Sequence, residues 1–200
     1  MSLSVLITGA GSGFGKLTSL SLLKAGHRVF ASMRAPEDRN KANADELRSA
    51  GAEIIEIDVT DENSVQSGID RAIKISGGLD VVINNAGVGV IGIQENFTIA
   101  DWQKLFDINL FGVQRVNRAV LPHMRKRKSG LIIYVTSLLG RMTIPFYGPY
   151  NASKWAMEAM AENYRSELSG LGIESCIIEP GGYPTDFMDR LIHPSDEARN

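Results

Sequence analysis

Thr8-Gly9-Ala10-Gly11-Ser12-Gly13-Phe14-Gly15 lies between an aliphatic run and a helical pattern near the N-terminus. Glycines at a strand-to-helix turn let backbone N–H groups approach a phosphate, and the helix N-terminus adds positive potential. The spacing is not GxGxxG, which would need glycine at position 14 or 16, where Phe14 and Lys16 stand. Taken alone, the stretch also reads as a turn that merely tightens strand-to-helix packing.

Outward from this loop, β-branched and aliphatic runs at 3–8, 28–33, 53–57, 79–84, 131–136 and 173–178 alternate with helical patterns at 14–25, 38–50, 61–76, 98–128 and 149–169. Strands with continuous apolar character suit a parallel sheet covered on both faces, and β-then-α alternation predicts an α/β, doubly wound fold. Asp61 is placed to cap its helix, and Gly26, Gly51 and Gly170 to take left-handed positions after theirs. Neither a repeat nor a Pro/Ser-rich linker divides the chain, so residues 1–200 are read as one domain.

A chain of 200 residues buries roughly 70% of its unfolded surface, enough for a packed core. Its 21 Lys and Arg against 23 Asp and Glu leave a net charge of -2, which gives no general attraction to nucleic acid or anionic membrane. The basic run at 125–128 reads as a solvated helix C-terminus. Cys176 is the single cysteine, expected to be a core thiol with no disulfide partner. The N-terminus lacks a charged segment leading into a long apolar one, and no apolar run is long enough to span a bilayer, so a cytoplasmic location is expected. His27, His123 and His193 fit no metal-ligand spacing, and no metal is expected.

Tyr150-Asn151-Ala152-Ser153-Lys154 opens the last helical pattern. Four-residue spacing puts phenol and ammonium on one helix face, where a cation lowers the phenol's pKa from about 10 toward working pH. An exposed helix pair would share this spacing. Ser137 stands 13 residues earlier, just past the fifth strand, where its hydroxyl could polarise a carbonyl.

The pattern TGxxxGxG, here Thr8, Gly9, Gly13 and Gly15, resembles the cofactor loop of the short-chain dehydrogenases and reductases. Ser137, Tyr150 and Lys154 match that family's catalytic serine, tyrosine and lysine. Asn109 matches the helix asparagine that holds a relay water between lysine and solvent. Asn84-Asn85-Ala86-Gly87 resembles the segment beside the cofactor ribose, with Asn84 read as a brace within the sheet. Pro180-Gly181-Gly182-Tyr183-Pro184-Thr185 resembles the stretch that positions the nicotinamide amide, Tyr183 and Pro184 being departures from it.

The resemblance implies a sheet of order 3-2-1-4-5-6, with the family's usual seventh strand absent from this chain. It implies a cofactor site of Gly9, Gly11, Ser12, Gly13, Phe14, Gly15, Arg34, Asp58, Val59, Asn85, Ala86, Gly87, Tyr150, Lys154, Pro180, Gly181 and Thr185. Arg34 follows the second strand, where an arginine accommodates a 2'-phosphate, so NADP(H) is favoured over NAD(H). Leu138, Leu139, Tyr147 and Phe187 head a set of apolar residues expected to face a hydrophobic alcohol or carbonyl substrate. The pattern is similar to the hydroxysteroid and retinol dehydrogenase branches. The two long helices resemble the family's dimer face, implying a homodimer. Two other readings stand beside this one: a cofactor-binding regulator or catalytically impaired short form, and an epimerase or dehydratase built on the same fold.

Overall fold

In a computed structural model the described residues are 2–199. Six parallel strands form one sheet: β1 (Ser4–Ile7), β2 (Arg28–Met33), β3 (Glu53–Glu56), β4 (Val81–Asn84), β5 (Gly130–Val135) and β6 (Ile173–Ile178). Their order is β3-β2-β1-β4-β5-β6, the expected doubly wound arrangement. The chain runs outward from β1 to β3 and then returns to place β4 against β1, with Val5 opposite Val81 and Ile7 opposite Ile83. That reversal opens a crevice at the C-terminal ends of β1 and β4, where such sheets take ligands.

Helices α1 (Gly13–Lys24) and α2 (Lys41–Ser49) cover one face. On the other lie α3 (Glu62–Ser76), α5 (Gly112–Arg127) and α6 (Gly148–Leu168), with α4 (Ile99–Phe106) leading into α5. Each face has its own core. Leu6, Phe30, Val82, Ile132 and Tyr134 pack beneath α3, α5 and α6, while Val5, Ile7, Val29, Ala31 and Ile83 pack beneath α1 and α2. This two-sided burial is why the strands read as continuous apolar runs. Among the described residues no helix is long and apolar enough to cross a membrane.

Several helix ends follow local chemistry. Asp61 Oδ1 accepts from the backbone N–H groups of Asn63 and Ser64, and Thr98 with Asp101 forms a reciprocal capping box. Four expectations need correction. The second helix starts at Lys41 because 35–40 is a turn in which Asn40 Nδ2 donates to Arg34 O at 2.6 Å. The 98–128 helix is interrupted by a π-helical turn, Asp107–Phe111. Gly170 lies within a short 3-10 turn, and the left-handed residue is Gly172, with φ of 70°.

Cys176 is exposed rather than a core thiol. Its register partner is Ile133, which places it on the α1 side of the edge strand, beyond the reach of α1 and α2. Ile178, on the same face, is 47% exposed.

Candidate active site

The crevice is a cleft of about 560 Å³. At one end the β1–α1 loop presents Gly9, Gly11, Ser12, Gly13 and Phe14. Gly15 does not line the cleft but makes the loop possible: an added Cβ would stand 2.4 Å from Gly9 O and 2.6 Å from Asn85 Nδ2. Asn85 ties the loop to β4, its Nδ2 donating to Thr8 O at 2.8 Å and its backbone N–H to Thr8 Oγ1 at 3.0 Å. Asn84 braces the interior instead, donating to Asn117 Oδ1 at 3.0 Å, and Asn117 in turn donates to the Tyr134 hydroxyl at 2.9 Å.

Arg34, Asp58 and Val59 line the cleft beyond β2 and β3. Arg34 Nη1 lies 3.9 Å from Asp58 Oδ2, and Asp58 Oδ1 accepts from both the backbone and the hydroxyl of Thr60. Asn40 lines the same end. It was not singled out from sequence, since its place depends on the turn at 35–40.

Ala86, Gly87, Ser137, Tyr150, Lys154, Pro180, Gly181 and Thr185 line the same cleft. Ser137 lines the cleft with Tyr150, and its Oγ accepts from Leu139 N–H at 3.1 Å. Lys154 Nζ donates to Val135 O at 3.0 Å and lies 5.6 Å from the centre of the Tyr150 ring. Thus the four-residue spacing marks a buried pair, with Tyr150 6% and Lys154 5% exposed.

Burial acts against the expected lowering of the phenol's pKa. It pushes the Tyr150 phenol up to about 12, with the Ser137 hydroxyl opposing. The cation meant to lower it is itself desolvated: burial pushes Lys154 down to about 8. The phenol therefore holds its proton at neutral pH.

Asn109 lies behind the cleft, not on it. In the π-helical turn its Oδ1 accepts from Val88 N–H at 2.9 Å, while Nδ2 donates to Val88 O at 2.9 Å and to Ser153 Oγ at 3.1 Å. It thereby fixes the loop after β4 to helix α6.

Leu138, Leu139, Tyr147 and Phe187 line the apolar end, joined by Met142, Ile144 and Met188. The ring of Phe187 lies 5.8 Å from that of Tyr150. Arg190, not noticed in the sequence, reaches back over the cleft to donate to Ser12 Oγ at 3.1 Å.

The residues fit a nicotinamide dinucleotide. A glycine loop opens a helix toward the cleft, without a side chain where a phosphate would approach, and a lysine and tyrosine line the same cleft.

Known proteins place the chain among relatives. The short chain dehydrogenase profile matches residues 4–195. The chain is 39% identical over 185 residues to a 3-ketodihydrosphingosine reductase of Bacteroides thetaiotaomicron, covering 92% of this chain and 65% of that protein. It is 34% identical over 194 residues to retinol dehydrogenase 8 of Homo sapiens, covering 94% and 61%. It thus spans less than two thirds of the length of either. Among solved structures, a short chain dehydrogenase/reductase from Burkholderia phymatum in complex with NAD superposes with a TM-score of 0.87 at 30% identity, covering 94% of this chain and 69% of that one. A gluconate 5-dehydrogenase from Burkholderia cenocepacia in complex with NADP and tartrate gives 0.85 at 29%, covering 94% and 74%. With a family profile matched along nearly its whole length and the loop, serine, tyrosine and lysine gathered at one cleft, this chain belongs to the short-chain dehydrogenase family.

Proposed function

We propose that the protein is an NAD(P)(H)-dependent oxidoreductase that interconverts a hydrophobic alcohol and its ketone or aldehyde. One observation carries the reading: Ser137, Tyr150 and Lys154 line one cleft together with the glycine loop and a set of apolar side chains. The nicotinamide supplies or accepts the hydride when bound. Ser137 orients the substrate oxygen, and Tyr150 exchanges the proton on it.

The phenol's retained proton suits it to donate to a carbonyl oxygen during reduction. Lys154 contacts the cofactor ribose and places positive charge beside Tyr150. Asn109 joins Lys154 to solvent through a water held at the π-helical turn. Gly9, Gly11 to Gly13 and Phe14 take the pyrophosphate, Thr185 the nicotinamide amide, and Asp58 and Val59 the adenine. Arg34 favours NADP(H), because a guanidinium makes a bidentate partner for the 2'-phosphate.

Leu138, Leu139, Tyr147 and Phe187 select for an apolar substrate. We place the protein in the cytoplasm as a homodimer joined through α5 and α6, where Trp155 is 48% exposed.

Titration with NADPH and NADH, followed by hydrophobic ketones and aldehydes with absorbance read at the nicotinamide band, tests the reading. Saturable binding with turnover is expected. Failure of both dinucleotides to bind would contradict it.

A further inference from the structure

Helix α6 carries another buried ionisable group on the stripe that holds Tyr150 and Lys154. Glu158 follows Lys154 by four residues, which places it on the same helix face. It is 2% exposed, and a carboxylate so buried is costly unless cations face it.

Arg141 does, its Nη2 lying 3.0 Å from Glu158 Oε2, and Lys154 stands one turn back along the helix. Arg141 also donates from Nη2 to Glu162 at 2.7 Å and from Nε to Glu179 at 2.9 Å. One guanidinium thereby joins the turn after Ser137, helix α6 and the chain leaving β6. Packing there is close: a Cβ on Gly140 would stand 2.9 Å from both Cγ and Oε1 of Glu158.

We propose that Glu158 is a positioning residue: it supplies the buried counter-charge of Lys154 and, through Arg141, clamps the Ser137 turn to the helix that carries Tyr150. The role rests on the reading of Lys154 as a working cation in an oxidoreductase site.

Electrostatics point the same way. Burial pushes the Lys154 ammonium down to about 8, and the Glu158 charge opposes that fall. Burial pushes the Glu158 carboxyl up, opposed by Thr136 and Arg141 and reinforced by Glu179 and Glu162. The charged and titratable groups around the pair are Tyr150 and Glu162 on α6, Arg141 after β5 and Glu179 after β6. The π-helical turn contributes the neutral Asn109.

The test is pulse acetylation of the full chain with acetic anhydride across a pH series, with Lys154 modification read by peptide mass spectrometry. In Glu158→Gln, which keeps shape and removes charge, the midpoint for Lys154 labelling should fall by about one pH unit. Glu158→Asp retains the charge at greater distance and should fall by less. If the glutamine variant does not fold, the aspartate variant decides.

An unchanged midpoint in the folded variant would overturn the proposal. Turnover should fall about tenfold in kcat in Glu158→Gln, with cofactor affinity held within about twofold. Labelling does not require activity. A wild-type chain without turnover whose Lys154 midpoint still shifts on substitution would refute the oxidoreductase reading and leave the counter-charge standing.

Discussion

Lys154 is 5% exposed and donates to Val135 O at 3.0 Å, an arrangement in which burial lowers its pKa from 10.5 to about 8. Between those values the unfolded chain binds a proton that the folded chain has released, so stability rises with pH across the window. Below about pH 8 the full cost applies, on the order of 3 kcal/mol. Tyr150, raised from 10.0 to about 12, acts with the opposite sign, its contribution being lost as pH climbs through that range.

Lys154→Met should therefore flatten the rise in stability between about pH 8 and 10, read by urea denaturation across a pH series. An unaltered pH slope would contradict the burial account. Arg34→Ala tests a separate group: it should weaken NADPH at least about tenfold and leave NADH within about twofold, because only the former carries the 2'-phosphate. Equal losses in isothermal titration would remove Arg34 from cofactor choice. Ser137, Tyr150 and Lys154 were legible in sequence because spacing along a helix and after a strand survives translation into space. Their pKa directions were not, since desolvation depends on what the rest of the chain packs around them.

At the level of elements, strand and helix identity followed from periodicity, and boundaries shifted where a side chain intervened. The 98–128 helix reads as continuous, yet a π-helical turn at Asp107–Phe111 carries Asn109 inward to Val88. A polar residue within a helical pattern does not announce which backbone it will meet.

The β1–α1 element makes the sharper prediction. In Gly15→Ala the new methyl would meet Gly9 O at 2.4 Å, and backbone cannot retreat cheaply in a packed loop. The variant should lose about 1–3 kcal/mol of stability and cofactor affinity with it. Gly170→Ala is the control: nothing lies within 4 Å of its added Cβ, and a change within about 0.5 kcal/mol is expected. Equal thermal shifts in the two variants would argue against the steric role of Gly15.

For the whole molecule, the order β3-β2-β1-β4-β5-β6 accounts for why distant motifs share one cleft. A glycine loop after β1, Asn85-Ala86-Gly87 after β4, a serine after β5 and a proline-glycine stretch after β6 all emerge at the same edge of the sheet. That convergence was legible from strand count and motif order. The outer layer was not, as Cys176 shows: an apolar strand is buried only where something lies on it, and the α1 side of β6 has exposed Cys176 and Ile178. Strand sequence alone does not record which face lacks a cover.

The proposed chemistry turns on proton transfer by Tyr150 at this cleft. Reduction of a hydrophobic ketone by NADPH should be compared in the full chain and in Tyr150→Phe, with cofactor affinity measured on the same samples. A loss in kcat of about 10²–10⁴-fold is expected, with affinity held within about twofold. Turnover in the phenylalanine variant near that of the unsubstituted chain would contradict it.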